Sequence, residues 1–322
     1  MNRKGLIIAF AALFIGAIGI IGWTSLGGAT VTEEATFTIA PGSTVSAVAA
    51  KLEEEGHISS ADGFVLNAKL FGSSDPIQVG EFKLQPGMSQ GRILSAFQNG
   101  EVVRRFITIP EGMPSVLVHE RLMAEELLEG NIDVPTEGTI LPDTYAFERG
   151  QSRQVLVDQM QEAMDKYLAE AWAKRGDDIA VATIREALIL AAIVEKETGN
   201  PDERGKVAGL YSNRVKSAML LQADPTIIYP ITKGKPLGRR IRQSEIAAVN
   251  GYNTYTRVGL PVGPITNPGK ESIAAVLNPD KTKALFMVAD GTGGHAFAET
   301  LEQHNANVEK WYAIRRERGE ME

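Results

Sequence analysis

The sequence contains no cysteine among its 322 residues. This absence excludes disulfide bonds, cysteine-based zinc sites and a thiol nucleophile, but it leaves the redox compartment open. Histidine is also scarce, and the four histidines show no spacing typical of a metal site: His57, His119, His295 and His304. We therefore predict neither a bound metal nor a cofactor.

The chain carries no excess of positive charge, since its formal net charge is -7. Proteins that bind nucleic acid neutralise phosphates with a concentrated basic surface, so no nucleic-acid partner is expected. The glycine-rich run DGTGGHAF, residues 290–297, is not followed by Lys-Ser or Lys-Thr and does not match GxGxxG. It therefore does not indicate a nucleotide-binding loop.

One long apolar run is present, at residues 5–23, and its 19 residues are uncharged. This length is close to the roughly 20 residues that span a bilayer as a helix. Two cations precede the run and two glutamates follow it, so the positive-inside rule predicts a cytoplasmic tail at residues 1–4 and an exported body. We expect a single-pass protein of the inner membrane with its C-terminal body in the periplasm. A cleaved signal peptide is the alternative, although its apolar core usually has about 7 to 15 residues.

The exported body divides by pattern into a short linker and three regions. The first region reads as strand, helix, helix, strand, helix, strand, and its start resembles the LysM-like modules that bind the N-acetyl sugars of peptidoglycan. The predicted fold class is α+β, with the transmembrane helix, the LysM-like module and a mainly helical catalytic region that contains some strands. The boundaries are a linker at 24–34, the module at 35–110, a connecting helical region at 111–180 and the catalytic domain at 181–322.

Two glutamates end the most apolar helix of the exported body. Residues 183–198, TIREALILAAIVEKET, contain eight consecutive apolar residues, which predicts a helix buried on every side. Glu195 and Glu197 lie in its last turn, where the helix dipole and nearby apolar packing both raise a carboxyl pKa. Two positions on a helix differ by about 200°, so the two side chains leave opposite faces. The residues alone leave two interpretations open: solvated acids at a helix end, or a general acid held protonated near neutral pH.

The break after this helix is also specified by sequence. Gly199 is suited to the position just beyond a helix, and Asn200 and Pro201 are suited to the start of the next one. Glu203 lies where the acid of a capping box is found. We therefore predict a sharp turn between two helices at this point.

Several motifs in this order resemble the YceG-like family of endolytic murein transglycosylases, across nearly all of the exported chain. They are LPDTY at 141–145, IVEKET at 193–198, SNR at 212–214, MLLQADPTIIY at 219–229, YNTY at 252–255, GLPVGPITNPG at 259–269 and FMVADGTGGHAF at 286–297. The resemblance implies a lysozyme-like catalytic region and a lyase that cleaves peptidoglycan between N-acetylmuramic acid and N-acetylglucosamine. That cleavage uses no water and leaves a 1,6-anhydromuramyl end. The implied partners are glycan strands, the membrane and peptidoglycan synthases.

The resemblance also assigns roles to individual residues. Lytic transglycosylases of the lysozyme-like type carry Glu-Ser, a motif ending in Gln, and Tyr-Asn, and this chain has Glu197-Thr198 at the first of these positions. Glu197, rather than Glu195, is thereby implied as the acid that protonates the glycosidic oxygen and then acts as base. The residues implied to bind substrate are Thr198, Asn213, Gln222, Asp224, Tyr252, Asn253, Tyr255 and His295.

Two other functions stay open at this point. A hydrolase would need a second carboxylate about 5 to 5.5 Å away for retention, or about 6.5 to 9.5 Å away for inversion. Asp224 is the best candidate for it, but an Asp before Pro commonly forms a turn, so a structural or sugar-positioning role is favoured. A non-catalytic scaffold that binds peptidoglycan and recruits wall synthases is the other alternative.

Overall fold

The computed structural model describes residues 31–320, and within them the chain has an α+β fold with 11 helices and three two-stranded sheets. The helices are α1 (Val45–Glu54), α2 (Ala61–Phe71), α3 (Gln90–Gln98), α4 (Ser115–Ala124), α5 (Arg153–Ala173), α6 (Ile184–Glu197), α7 (Pro201–Lys216), α8 (Pro225–Thr232), α9 (Gln243–Ile246), α10 (Lys270–Leu277) and α11 (Leu301–Glu317). The strands are β1 (Ala35–Ile39), β2 (Gly80–Leu84), β3 (Arg105–Thr108), β4 (Thr144–Phe147), β5 (Phe286–Ala289) and β6 (His295–Ala298). They pair as β1–β2, β3–β4 and β5–β6.

The prediction of a membrane-spanning helix is corrected. Among residues 31–320, no helix is both long enough and apolar enough to cross a bilayer. The longest, α5, has 21 residues but carries charged side chains along its length, and α6, which contains eight consecutive apolar residues, has only 14 residues and ends in Glu-Lys-Glu. Residues 5–23, on which the predicted anchor and the inner-membrane localisation depend, lie outside the described residues. Neither is retained.

The chain forms two compact units. The first comprises the described residues up to Arg105 together with Ala146–Gly150, and the second comprises Phe106–Tyr145 and the residues from Gln151 onward. The order of elements up to β3 is the order expected from sequence. The predicted boundaries at 110 and 180, and the LysM-like assignment, stay predictions.

The first unit is built around an aromatic core. β1 and β2 pair antiparallel with Phe37 opposite Phe82, and α1 and α2 connect the two strands. The ring of Phe97, on α3, lies 4.6 Å from that of Phe82 and 5.6 Å from that of Phe37, and all three side chains are fully buried. The three helices begin at hydroxyl side chains that accept a backbone N–H: Thr44, Ser60 and Ser89.

The second unit is centred on α6. A capping box starts this helix, because Thr183 accepts from the Glu186 backbone N–H at 3.1 Å and Glu186 accepts in return from that of Thr183 at 3.2 Å. Of the eight apolar residues that follow, all except Leu188 are buried, and α5, α7, α8 and α10 pack around them. The helix is therefore enclosed by other helices, as the apolar run predicts.

The turn between α6 and α7 follows the predicted position with two corrections. Thr198, with φ −141° and ψ 130°, ends α6 in extended backbone, so Gly199 does not supply a left-handed cap. Asn200 caps α7 by accepting from the Asp202 N–H at 3.1 Å. Glu203 does not complete a capping box, because its carboxylate instead accepts from the backbone N–H of His295 at 2.8 Å.

Candidate active site

Glu197 is the last residue of α6, and its side chain meets α7. The Tyr211 hydroxyl donates a hydrogen bond to its carboxyl. Burial, with the negative charge of Asp224 adding to it, raises the pKa of Glu197 to about 7, while the Tyr211 hydrogen bond and the Arg214 cation oppose this shift. The carboxyl therefore exchanges its proton close to neutral pH.

Tyr211 and Arg214 lie one turn apart on α7 and form the wall behind Glu197. Tyr211 is only 3% exposed, and burial together with the neighbouring Glu197 charge raises its pKa well above the ordinary value. The Arg214 guanidinium donates to the carbonyl oxygens of Leu285 at 2.7 Å and Leu221 at 2.8 Å. These backbone contacts hold the cation near Glu197, where its charge opposes the rise in the Glu197 pKa less strongly than burial promotes it.

Asp224 and Tyr255 complete the site, since each lies close enough to Glu197 to interact with it electrostatically. The Tyr255 hydroxyl donates to the Asp224 carboxylate at 2.6 Å. Asp224 occupies the N-cap position of α8, but its side chain makes no cap hydrogen bond there. The expected Asp-Pro turn thus uses the backbone of Asp224, while its carboxylate is exposed and oriented by Tyr255.

A buried hydroxyl pair fixes the two segments that carry Asp224 and Tyr255. The Thr226 and Thr254 hydroxyls lie 2.8 Å apart, and both residues are fully buried. Thr254 also accepts from the Ala223 N–H at 3.1 Å, and its carbonyl accepts from the Gln222 N–H at 3.2 Å. This network sets the position of the loop from Tyr252 against the start of α8.

Gln222 and Thr198 flank the same region in different ways. Gln222 has φ +49°, a left-handed backbone uncommon for a residue with a side chain, and that side chain is exposed. Thr198 is buried, and its hydroxyl accepts from the Asn200 N–H at 3.0 Å. The geometry thus leaves Gln222 available to a ligand and uses Thr198 to shape the turn.

Two of the asparagines implied to bind substrate hold the backbone instead. Asn253 is fully buried, and its amide donates to the carbonyls of Ile246 at 2.9 Å and Ala248 at 2.7 Å. The Asn213 amide donates to the carbonyls of Thr282 at 2.8 Å and Ala284 at 3.0 Å. Both side chains therefore position the walls of the site.

Tyr252 and His295 have their contacts elsewhere in the unit. The Tyr252 ring lies 4.8 Å from that of Tyr229, in a separate pocket. His295 Nδ1 lies 2.9 Å from the carboxylate of Glu203. Both residues therefore lie outside the group formed by Glu197, Tyr211, Arg214 and Asp224.

Glu195 faces away from this site, as the helix geometry predicts. Its carboxylate accepts from the Gly269 N–H at 2.9 Å, at the N-terminus of α10. A carboxylate is stabilised at that end of a helix by the dipole and by the free N–H groups. Glu195 thus has a structural partner, whereas Glu197 meets Tyr211 and the charges of Arg214 and Asp224.

Tyr211 and Arg214 are the site residues that sequence reasoning missed. Arg214 belongs to the SNR motif at 212–214, and Tyr211 precedes that motif. Their spacing of three residues on a predicted helix places both on one face, which could have indicated a shared role. Within residues 31–320, no group of three or more His, Asp or Glu side chains is arranged to hold a metal ion.

The comparisons with known proteins agree on one family. The profile of the YceG-like family matches residues 37–310. The endolytic murein transglycosylase of Bacillus subtilis (strain 168) is 28% identical over 317 residues, which cover 87% of this chain and 85% of the relative. That of Streptococcus pneumoniae serotype 2 is 30% identical over 323 residues, which cover 85% of this chain and 57% of that longer relative.

A solved structure is also similar. The crystal structure of a YceG-like protein from Listeria monocytogenes has a TM-score of 0.53 and 26% sequence identity. The match covers 85% of this chain and 98% of the Listeria chain. Similarity in sequence and in fold therefore extends over most of both molecules.

Proposed function

Because the chain belongs to the YceG-like family, we propose that it is an endolytic murein transglycosylase in which Glu197 is the catalytic acid and base. The enzyme class expected from sequence is confirmed by the relatives that carry this name. Its substrate is the glycan strand of peptidoglycan. The observation that carries the assignment of Glu197 is the placement of its carboxyl against Tyr211 and near Asp224, where desolvation and the Asp224 charge raise its pKa to about 7.

The first step is protonation of the glycosidic oxygen. Protonated Glu197 gives its proton to the oxygen between N-acetylmuramic acid and N-acetylglucosamine, and the bond from C1 to that oxygen breaks. The departing sugar leaves with a free hydroxyl, and positive charge develops at C1 of the muramyl residue. A carboxyl with a pKa near the working pH suits this step, because a large fraction carries the proton.

The second step closes the muramyl ring on itself. The Glu197 carboxylate takes the proton of the 6-hydroxyl, and the oxygen of that hydroxyl forms a bond to C1. The product is a 1,6-anhydromuramyl end, and Glu197 is again protonated, so water is not consumed. Arg214 and the Tyr211 hydroxyl stabilise the carboxylate between the steps, since both favour its charged form.

Asp224 is proposed to support the reaction electrostatically and to position the sugar. Its charge keeps the Glu197 proton in place before the first step and favours positive charge at C1 afterwards. The Tyr255 hydrogen bond at 2.6 Å fixes the carboxylate for this role. A single acid/base group therefore suffices for the chemistry, with Asp224 as a positioning partner.

Two finer predictions stay predictions. One is that the first unit binds N-acetyl sugars as LysM-like modules do. The other is that peptidoglycan synthases are partners of the chain.

The activity is tested by incubating the purified full-length chain with uncrosslinked glycan strands in water labelled with ¹⁸O, and by weighing the products. A lytic transglycosylase releases anhydro ends that carry no label. Labelled reducing ends would instead indicate the hydrolase, and strands that are bound but remain intact would indicate the non-catalytic scaffold.

A further inference from the structure

A second pocket lies in the same unit as Glu197. Its volume is about 330 Å³, and it is bounded by α6, α8 and the loop that follows α9. The lining residues that matter here are Glu137, Arg185, Tyr229, Tyr252 and Val262. The mechanism proposed above uses none of them.

The pocket shares its walls with the active site. α8 and the loop from Tyr252 to Tyr255 touch twice, through the Asp224–Tyr255 hydrogen bond at 2.6 Å and through the Tyr229–Tyr252 ring pair at 4.8 Å. Five residues separate the two contacts on α8, a rise of about 7.5 Å. The same five positions differ by about 140° around the helix, so the contacts lie on different faces of α8, but both sites are built from α8 and this loop.

The position along α6 gives the separation from the reacting bond. Arg185 is at the start of this helix and Glu197 at its end, twelve residues later, which corresponds to about 18 Å. This distance exceeds the length of the two sugars that flank the bond to be cleaved. A glycan strand bound at Glu197 would therefore reach the pocket with a sugar outside that pair.

A partly buried carboxylate, that of Glu137, holds the aromatic wall of the pocket. Glu137 accepts from the Ser115 N–H at 2.9 Å and from its hydroxyl at 3.1 Å, and burial raises the pKa of Glu137. The Tyr229 hydroxyl is hydrogen-bonded to Glu137 and also to the Tyr252 hydroxyl. The Tyr252 hydroxyl is thus linked through Tyr229 to the partly buried Glu137.

The remaining groups are suited to a carbohydrate. The Arg185 side chain is exposed at the rim and is held there by donating from Nη2 to the Val262 carbonyl at 2.9 Å. The Val262 side chain is 51% exposed and adds an apolar surface. An aromatic ring stacks on the apolar face of a pyranose, and a guanidinium donates to ring hydroxyls and N-acetyl carbonyls.

We propose that this pocket is a distal subsite that holds one N-acetylhexosamine residue of the glycan strand, outside the pair at the cleaved bond. The sugar stacks on Tyr252 and receives hydrogen bonds from Arg185. The proposal rests on the proposed function for its substrate class. It goes beyond that function by naming residues that determine how far from the end of a strand the protein binds it.

The test measures binding without turnover. The full-length chain with Glu197→Gln is titrated against fluorescently labelled glycan strands, once with their stem peptides and once with the peptides removed. Adding Tyr252→Leu is expected to weaken binding of both strands about tenfold, as loss of one aromatic stack implies. Tyr252→Phe loses the hydroxyl contact but keeps the ring and its packing on Tyr229, so it is expected to bind within about twofold of the parent. Arg185→Ala, at an exposed position that does not threaten folding, is expected to weaken binding in the same direction.

Two results would overturn the subsite. One is unchanged affinity in both Tyr252→Leu and Arg185→Ala when circular dichroism shows each to be folded. The other is a loss confined to strands that carry peptides, which would assign the pocket to the stem peptide. Binding that depends on Tyr252 in a chain that releases no anhydro ends would refute the proposed activity and still support the subsite.

Discussion

At the scale of single residues, Glu195 and Glu197 show how two identical side chains acquire different properties on one helix. Glu195 accepts a backbone N–H at the start of α10, so its side chain holds two elements of the fold together. Glu197 is partly buried and lies near the negative Asp224, and desolvation and this charge both favour its neutral form. The difference arises from the roughly 200° between the side chains, which sends them to different neighbours.

The charge of Asp224 predicts a shift in the pH profile. Since Glu197 must carry a proton to begin the reaction, activity should fall as pH rises through about 7, the pKa of this carboxyl. Asp224→Asn removes a negative charge that raises that pKa, so the alkaline limb of kcat/KM should move to lower pH. The measurement is the rate of anhydro-product release between about pH 5 and pH 9.

Tyr255→Phe is the matched control for this shift. It removes the hydrogen bond to Asp224 but leaves the charge, so the alkaline limb should stay close to its original pH even if the rate falls. An Asp224→Asn limb that stays in place, or moves to higher pH, would contradict the electrostatic role of Asp224.

At the scale of elements, a close contact between α7 and the loop around Asp280 holds α7 in the position that the active site requires. Gly209 on α7 lies so near this loop that a Cβ would stand 2.5 Å from the Asp280 carbonyl oxygen and 2.7 Å from the Thr282 side chain. The Asn213 amide, one turn further, binds the Thr282 carbonyl. This contact also fixes the helix that presents Tyr211 and Arg214 to Glu197.

Gly209→Ala should therefore destabilise the protein, although alanine is the better helix former. The clash with backbone is expected to cost about 2 to 3 kcal/mol, which exceeds the gain of about 1 kcal/mol in helix propensity. Urea denaturation measures the difference. Gly199→Ala is the control, since its Cβ would meet nothing within 4 Å and little change is expected. A Gly209→Ala variant more stable than the parent would contradict the packing described.

The helices and loops also show which structural features can be predicted from the sequence. The buried helix α6, its end at Glu197 and the opposite directions of its two acids follow from local periodicity, and the structure agrees with them. The roles of Asn213 and Asn253 do not follow, because each depends on the carbonyl groups that tertiary folding brings to the amide. Glu203 is a similar case, since a contact with His295, 92 residues away, replaces the local capping box.

At the scale of the whole molecule, each of the two compact units has a core of its own. The aromatic core of the first unit contains Phe97, while the core of the second surrounds α6. Cores that are separate in this way are expected to unfold as separate cooperative transitions.

Phe97→Ala tests this separation. Removing a fully buried ring should cost the first unit about 3 to 5 kcal/mol. In scanning calorimetry one transition should move to lower temperature while the other stays in place. If a single transition moves as a whole, the two units are coupled and the expectation is wrong.

The central claim, that Glu197 alone is the acid and base, is tested most directly by comparing two isosteric variants on the same helix. Glu197→Gln and Glu195→Gln are incubated with uncrosslinked glycan strands, and the anhydro ends are quantified by mass spectrometry, after circular dichroism has shown both variants to be folded. The account predicts that Glu197→Gln loses activity by about 10²-fold or more, as expected for removal of a general acid, while Glu195→Gln keeps most of it. Equal loss in both variants, or anhydro ends still formed at the parental rate by Glu197→Gln, would contradict it.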